Sequence, residues 1–394
     1  MPNRSTIACC TTLALTAAAP TFAVDEAHLR QADHMIDRAV TYLRAQQDNT
    51  TGGWAVNPQG PQLPGITALV VNGMIMSPDI DAHDPAINRA AEFILTFRQP
   101  DGGIYDKILA NYNTSLCLSA LSKLNTPEAV NAMSGAQSFL KSLQWSDDAL
   151  EHAESGVVDA KHPFFGGAGY GSHSRPDMSN LNLMLQALHD SGLSASDEAF
   201  QRAQKFLERC QMLDTVNDMP YADGSEQGGF IYATSPDGDH IGDGETKAGT
   251  MMETLSDGTT ASRLRAYGSM TYAGFKSYVY ANLKRDDPRV TAAYDWIRAN
   301  YTLEENPGVG TDGLYYYYVT FARALDAWGP QTIELQNPDG STGDTRDWQN
   351  DLIDTLANLQ NTDGSFKSVD DRWMENNPIL ITAYALLALQ HAID

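Results

Sequence analysis

Between residues 169 and 182 the chain reads Gly-Tyr-Gly-Ser-His-Ser-Arg-Pro-Asp-Met-Ser-Asn-Leu-Asn. A phenol (Tyr170), an imidazole (His173), a guanidinium (Arg175) and a carboxyl (Asp177) fall within eight residues there, beside several glycines. A buried carboxylic acid in such a set could act as a general acid, with His173 or Tyr170 as base and Arg175 as an anion clamp. Pro176 suits a first helical turn, so Asp177 also stands where a helix cap belongs. The competing reading is an Arg–Asp cap network that stiffens the loop. Asn180, Asn182 and Asn113 lie at comparable places near helix starts and are candidate ligand-binding amides.

Aromatic residues form the second group. Tyr315, Tyr316, Tyr317 and Tyr318 are consecutive, and Tyr112, Tyr272 and Tyr384 fall in other apolar helical stretches. On an inner helix about half of the four consecutive rings should face a central space. They could stabilise positive charge, stack on sugar rings, or simply fill the interior. Asp371 and Trp373 precede the last apolar helix and are candidates for a cavity rim or a plain surface loop. The string from 237 to 245 looks like a calcium loop through Asp237, Asp239 and Asp243. Ile241 and Ala248 occupy positions where such a loop needs oxygen ligands, so a solvated acidic turn is the preferred reading. No cofactor is expected, with calcium there as the alternative.

The elements that must position these groups repeat along the chain. Residues 347–394 give the clearest unit: an amphipathic helix, a turn at 360–366 containing Asp363-Gly364, a polar loop, and a helix apolar on most faces from 378 to 390. One apolar stripe marks a half-exposed helix, and apolar residues all round mark a buried one. Similar units occupy 28–76, 87–124, 128–189, 197–283 and 288–328, with a short hairpin expected around 333–340. No pair of this kind can bury its apolar face alone, and six can close into a ring. The fold class expected is therefore all-α, an (α/α)6 toroid of six outer and six inner helices spanning residues 24–394 as one domain.

Residues 1–23 read as a signal peptide, with Arg4, an apolar stretch from 7 to 19 and Thr21-Phe22-Ala23 as a cleavage site. Export to the periplasm or the exterior is the expectation. Removing that segment takes away Arg4 and no acid, so the formal charge moves from −24 to −25. A surface this acidic repels phosphate backbones, which excludes nucleic acid as an expected partner. No integral membrane span is expected, and the protein should act as a monomer on a small or oligomeric ligand. Cys117 and Cys210 are the cysteines left after cleavage and read as buried free thiols, with a disulfide in an oxidising compartment as the alternative.

The turns carry a further pattern. Gln47…Gly53-Trp54, Gln99…Gly103…Tyr105 and Gln360…Gly364…Phe366 each place a glutamine before glycine and an aromatic. This resembles the repeat of squalene cyclases and of protein prenyltransferase β subunits, as do the inner-helix phrases at 67–69 and 382–389. The resemblance implies the toroid and its cavity. It does not carry over the chemistry, because the acidic Asp-x-Asp-Asp set of class II cyclases is absent. The nearest string, Ser368-Val369-Asp370-Asp371, lacks the first acid and lies in a loop. An Asp-x-Cys zinc set is absent too.

The function expected is an exported enzyme of this repeat group, using acid–base chemistry in the central cavity on a hydrophobic or terpenoid-like substrate. A carbohydrate-active toroid resembling polysaccharide lyases is the alternative. A non-catalytic binding or scaffold protein is a third possibility.

Overall fold

The structure, a computed structural model, describes residues 24–147, 158–171, 174–236, 244–255 and 257–394. Twelve α-helices alternate along these residues, numbered in chain order. The outer ones are α1 (Glu26–Ala45), α3 (Pro85–Leu95), α5 (Pro127–Ser142), α7 (Glu198–Cys210), α9 (Pro288–Ala299) and α11 (Trp348–Ala357). The inner ones are α2 (Pro64–Met74), α4 (Ala110–Leu124), α6 (Met178–Asp190), α8 (Gly268–Tyr280), α10 (Leu314–Trp328) and α12 (Pro378–Ile393). Each inner helix packs on the next, and α12 packs back on α2, so the inner layer is a closed ring. This is the α/α toroid that the repeats predict.

Burial follows the sequence pattern. Every residue of α2 is buried, whereas α7 buries a stripe through Ala199, Phe200, Ala203, Phe206, Leu207 and Cys210. That stripe has the i, i+4, i+7, i+8 spacing of a helix covered on one side. Cys117 and Cys210 are buried free thiols. Two antiparallel hairpins interrupt the helices: β1 (Thr250–Thr254) with β2 (Thr260–Leu264), and β3 (Ile333–Gln336) with β4 (Thr342–Arg346). The second is the hairpin expected near 333–340; the first lies in a stretch read only as a long loop.

The glutamine–glycine turn works as a clasp between units. The Gln47 amide donates to Gly52 O and to Ala86 O in α3, both at 2.8 Å. Gly52 has φ +80 and lies so close to the next outer helix that a Cβ there would fall 2.7 Å from Arg89 O. Gln360 and Gly364 repeat the clasp against α1: the Gln360 amide donates to Met35 O at 2.8 Å, and a Cβ on Gly364 would meet Arg38 O at 2.2 Å. The ring thus closes through a contact that also joins interior units, although the Gln99 amide stays within its own turn, donating to Tyr105 O at 2.7 Å. Gln144 and Gln211 make it as well, reaching Ala199 O and Arg289 O at 2.9 Å.

Helix starts differ between the layers. All six outer helices are capped by their own preceding side chain: Asp25, Asp84, Thr126, Asp197, Asp287 or Asp347. Among inner helices only α6 (Asp177) and α12 (Asn377) are. The others borrow acceptors. Asn113 Oδ1 takes the Gly65 N–H at 2.9 Å, Asn306 Oδ1 the Ser269 N–H at 2.9 Å, and Tyr170 O the Asn111 N–H at 3.0 Å. Glu375 takes two N–H groups of α10. Unpaired N–H groups at a helix start need such partners.

Candidate active site

The first turns of all six inner helices surround one cavity of about 310 Å³. Six phenols enter its wall: Tyr112, Tyr170, Tyr232, Tyr267, Tyr316 and Tyr384. Leu63, Ile66, Leu109, Leu183, Met270 and Leu380 supply aliphatic surface, while Trp373, Met374 and Glu375 come from the loop before α12. Sites for small molecules are of this kind, mostly apolar with a few placed polar groups, and run from about 300 to 1,000 Å³.

Two carboxyls are buried here. Asp177 is 3% exposed. Its Oδ1 accepts from the Asn180 N–H at 2.9 Å and from Ser179 Oγ at 3.1 Å, and its Oδ2 accepts from the Asn180 amide at 2.8 Å. Burial pushes its pKa up, and the hydrogen bonds from Asn180, Ser179 and Tyr232 oppose that rise. The carboxyl stands one layer behind the wall; Ser179, Asn180, Tyr170 and Tyr232 are what face the cavity. Tyr232 is held against α6 by its carbonyl, which accepts the Met178 N–H at 2.8 Å. Burial raises its phenol pKa, and the neighbouring Asp177 and Tyr170 add to the rise. Tyr170 is half exposed at the rim, its backbone tied to α4 by Asn111, whose amide donates to Gly169 O at 2.8 Å.

Glu375 is 1% exposed and lines the cavity directly. Its carboxylate accepts the N–H groups of Tyr315 and Tyr316 at 3.1 and 2.9 Å. Burial nevertheless pushes its pKa up to about 7, with Asp370 adding to the rise. The two residues before it, Trp373 and Met374, have φ of +54 and +68. Non-glycine residues held in the left-handed region cost about 1–3 kcal/mol each and cluster at functional sites.

The sequence candidates divide sharply. Tyr112, Tyr170, Asn180, Tyr316, Trp373 and Tyr384 line the cavity, with the Tyr112 and Tyr384 hydroxyls 3.3 Å apart. Arg175 does not: its guanidinium donates to Glu245 at 2.7 Å and to Thr234 O at 2.8 Å, bracing the loop before α6. That engagement replaces the anion-clamp role. Of the four consecutive tyrosines only Tyr316 lines the cavity. Tyr315, Tyr317 and Tyr318 donate to Lys367 O, Thr302 O and Leu303 O, because α10 is buried on its outer side as well. Tyr272 packs on Tyr317 and Phe321 with ring centroids 5.7 and 5.0 Å away, outside the lining. Asn113 serves as the borrowed cap of α2, and Asn182 is buried within α6 beside Tyr316. Asp371 is exposed and does not line the cavity. His173 and the acidic string with Asp237, Asp239 and Asp243 lie outside the described residues.

Sequence reasoning missed Tyr232, Tyr267, Lys247 and Glu375. Glu375 carried a weak signal as an acid in the short loop before α12, but it serves the start of α10, 60 residues earlier in the chain.

The far ends of the inner helices bury an amine as well as a carboxyl. Lys276 is 1% exposed, its ammonium donating to Gln186 Oε1 and lying 5.4 Å from the Tyr280 ring centroid. Burial draws its pKa well down, Arg323 adds to that, and Asp190 opposes it. Burial alone would raise the Asp190 carboxyl, but His189, Arg323 and Lys123 hold it at about 2.

The fold and this cavity describe an α/α-toroid protein with a chamber at the amino-terminal pole of its inner helices. No family model and no curated protein matches the chain. Among solved structures it is similar to the type II terpene cyclase MstE from Scytonema in complex with its substrate, geranylgeranyl dihydroxybenzoate. There the identity is 14% over 93% of this chain and 99% of that one, with a TM-score of 0.51. It is also similar to an α-1,6-mannanase of Salegentibacter sp. HEL1_6 in complex with α-1,6-mannotriose, at 10% identity over 92% and 98% of the two chains and a TM-score of 0.55. The toroid is therefore shared with both kinds of enzyme, and likeness at this level speaks for the fold alone.

Proposed function

We propose that the protein is an enzyme that performs acid–base chemistry on a small hydrophobic, isoprenoid-like molecule in the cavity. The observation that carries this reading is the wall itself: six phenols and six aliphatic side chains, backed by a buried carboxyl. Such a surface matches an apolar ligand and offers few of the amide and charged groups that an oligosaccharide needs. The terpene cyclase named above is a precedent for an isoprenoid substrate inside this fold. In this reading Tyr170 and Tyr232 touch the ligand and exchange protons with it, while Asp177 positions and polarises Tyr232 from behind. Among the described residues no helix is long and apolar enough to cross a membrane. Export after cleavage near Val24 belongs to the same reading, supported by the apolar stretch and small-residue site within the first 23 residues.

Thermal unfolding of the purified protein with farnesol, geranylgeraniol or α-1,6-mannotriose tests the proposal. The two isoprenoids should raise the midpoint, and gas chromatography should show a converted product. A rise with mannotriose alone would overturn the proposal in favour of a carbohydrate ligand.

A further inference from the structure

Glu375 lies on the opposite side of the chain's logic from Asp177. It is absent from every motif read in the sequence, yet it faces the cavity directly while Asp177 stands behind its wall. Three independent features converge on it. Its carboxylate receives two N–H groups at the start of α10, a helix without a side-chain cap of its own. The turn that delivers it, Arg372–Met374, contains two successive left-handed non-glycine residues. That turn is pinned from three directions: Arg372 pairs with Asp312, Ser368 Oγ donates to Glu375 O at 2.9 Å, and the Trp373 ring covers Gly313, where a Cβ would fall 2.6 Å from it. A cap alone would not need a strained turn; an asparagine one residue before the helix, as at Asn377, does that work without one.

The surroundings decide what the carboxyl can do. From α10 it meets the N–H groups of Leu314, Tyr315 and Tyr316, while the Tyr315 and Tyr318 phenols, bonded elsewhere, feel its charge at longer range. The Tyr384 phenol of α12 and Asp370 of its own loop act on it electrostatically. Arg372, the cation of that loop, is committed to Asp312 and stacks on Trp373. Lys247 lines the same cavity and lies 5.1 Å from the Tyr232 ring centroid. Among the described residues no hydrogen bond or ion pair joins Glu375 to a cation, so its ionised form depends on the α10 N–H groups and, in an unfilled cavity, on solvent water. An apolar ligand that fills the chamber removes that water and disfavours the charge further.

We infer that Glu375 is a catalytic acid of this site, loaded with a proton when an apolar ligand fills the cavity. The inference rests on the proposed function and names the group that supplies the proton. On ligand entry the carboxylate takes one proton from solvent. In the chemical step its O–H bond breaks, the proton passes to an electron-rich atom of the ligand, and the electron pair remains on the carboxylate. A proton released by product or solvent then resets it.

Calorimetry of farnesol binding in two buffers of different ionisation enthalpy reads the coupling without any variant. Uptake of close to one proton per farnesol bound is expected at pH 8. With one coupled proton the dissociation constant should rise tenfold per pH unit well above about 7, giving roughly 25-fold weaker binding at pH 8.5 than at pH 6.5. Glu375→Gln keeps an oxygen acceptor for α10 and should bind farnesol with little pH dependence. Binding without proton uptake, or a Glu375→Gln protein that keeps the wild-type pH dependence, overturns the assignment and leaves the cavity reading intact. Failure of farnesol to bind at any pH removes both.

Discussion

The two ends of the inner ring bury different sets of charged groups: acids at one, and cations together with Asp190 at the other. At the amino-terminal end, where helix dipoles present partial positive charge, the buried groups are acids, Asp177 and Glu375. At the carboxy-terminal end they include cations, Lys276 and Arg323. Dipole complementarity explains the placement at both ends, but the pKa shifts show that burial wins over it: Glu375 rises to about 7, and Lys276 falls. The ends differ in what adjoins the charge. Glu375 faces a cavity, whereas Lys276 is packed against Gln186 and Tyr280, which spend its donors internally. A perturbed acid beside open space is available for chemistry, and a perturbed amine sealed in side chains is architecture.

That contrast can be broken most forcefully at Lys276. Lys276→Met removes a buried charge while Tyr280 still donates to Gln186 at 3.2 Å, so unfolding free energy should increase by about 1–3 kcal/mol in urea titrations. A loss of stability would show that the amine is needed to balance the helix ends. Glu375→Ala should move the other way, by about 1–3 kcal/mol, because two N–H groups of α10 lose their acceptor. Glu375→Gln should cost much less in the same measurement.

A smaller effect sharpens the comparison through pH. The folded-state pKa of Glu375 lies above its ordinary value of 4.5, so the folded protein retains a proton that the unfolded chain has released. Its contribution to stability is therefore present below 4.5 and is lost as pH rises to about 7. Melting midpoints of wild type and Glu375→Gln should diverge across that window and run parallel above it. Lys276 contributes with the opposite sign, since its folded pKa is lowered and stability gained from it grows with pH. The smallest change expected is Tyr112→Phe. It removes one 3.3 Å hydroxyl contact and should cost about 0.5 kcal/mol, read by the same denaturation.

The ring could be read from the repeats because each unit states its own geometry in apolar spacing and a glutamine–glycine turn. Gln144 and Gln211 escaped notice for a physical reason: insertions separate them from Gly166 and Gly228, so the clasp is local in space and distant in sequence. Placement within the cavity was harder to see. The run Tyr315–Tyr318 gives no clue to its inner face, since all four positions are aromatic and α10 buries nearly all of its surface. Arg175 looked free because its partner Glu245 is 70 residues away. Asp177 was correctly found as a buried acid at a helix start, but nothing local indicates that Asn180 and Tyr232 stand between it and the chamber.

The glutamine–glycine clasp has a consequence for how this chain could be rewired. The joint between the last unit and the first is chemically the same as three of the joints between consecutive units, with Gln360 holding α1 as Gln47 holds α3, Gln144 holds α7 and Gln211 holds α9. Asn350 touches Asp25, and Gln349 donates to Ala392 O at 2.8 Å, so the two termini of the described chain converge on one helix. The circle therefore has no privileged seam. A gene opened at the β3–β4 turn and spliced across the present ends would encode the same set of inter-unit contacts in a different order of synthesis.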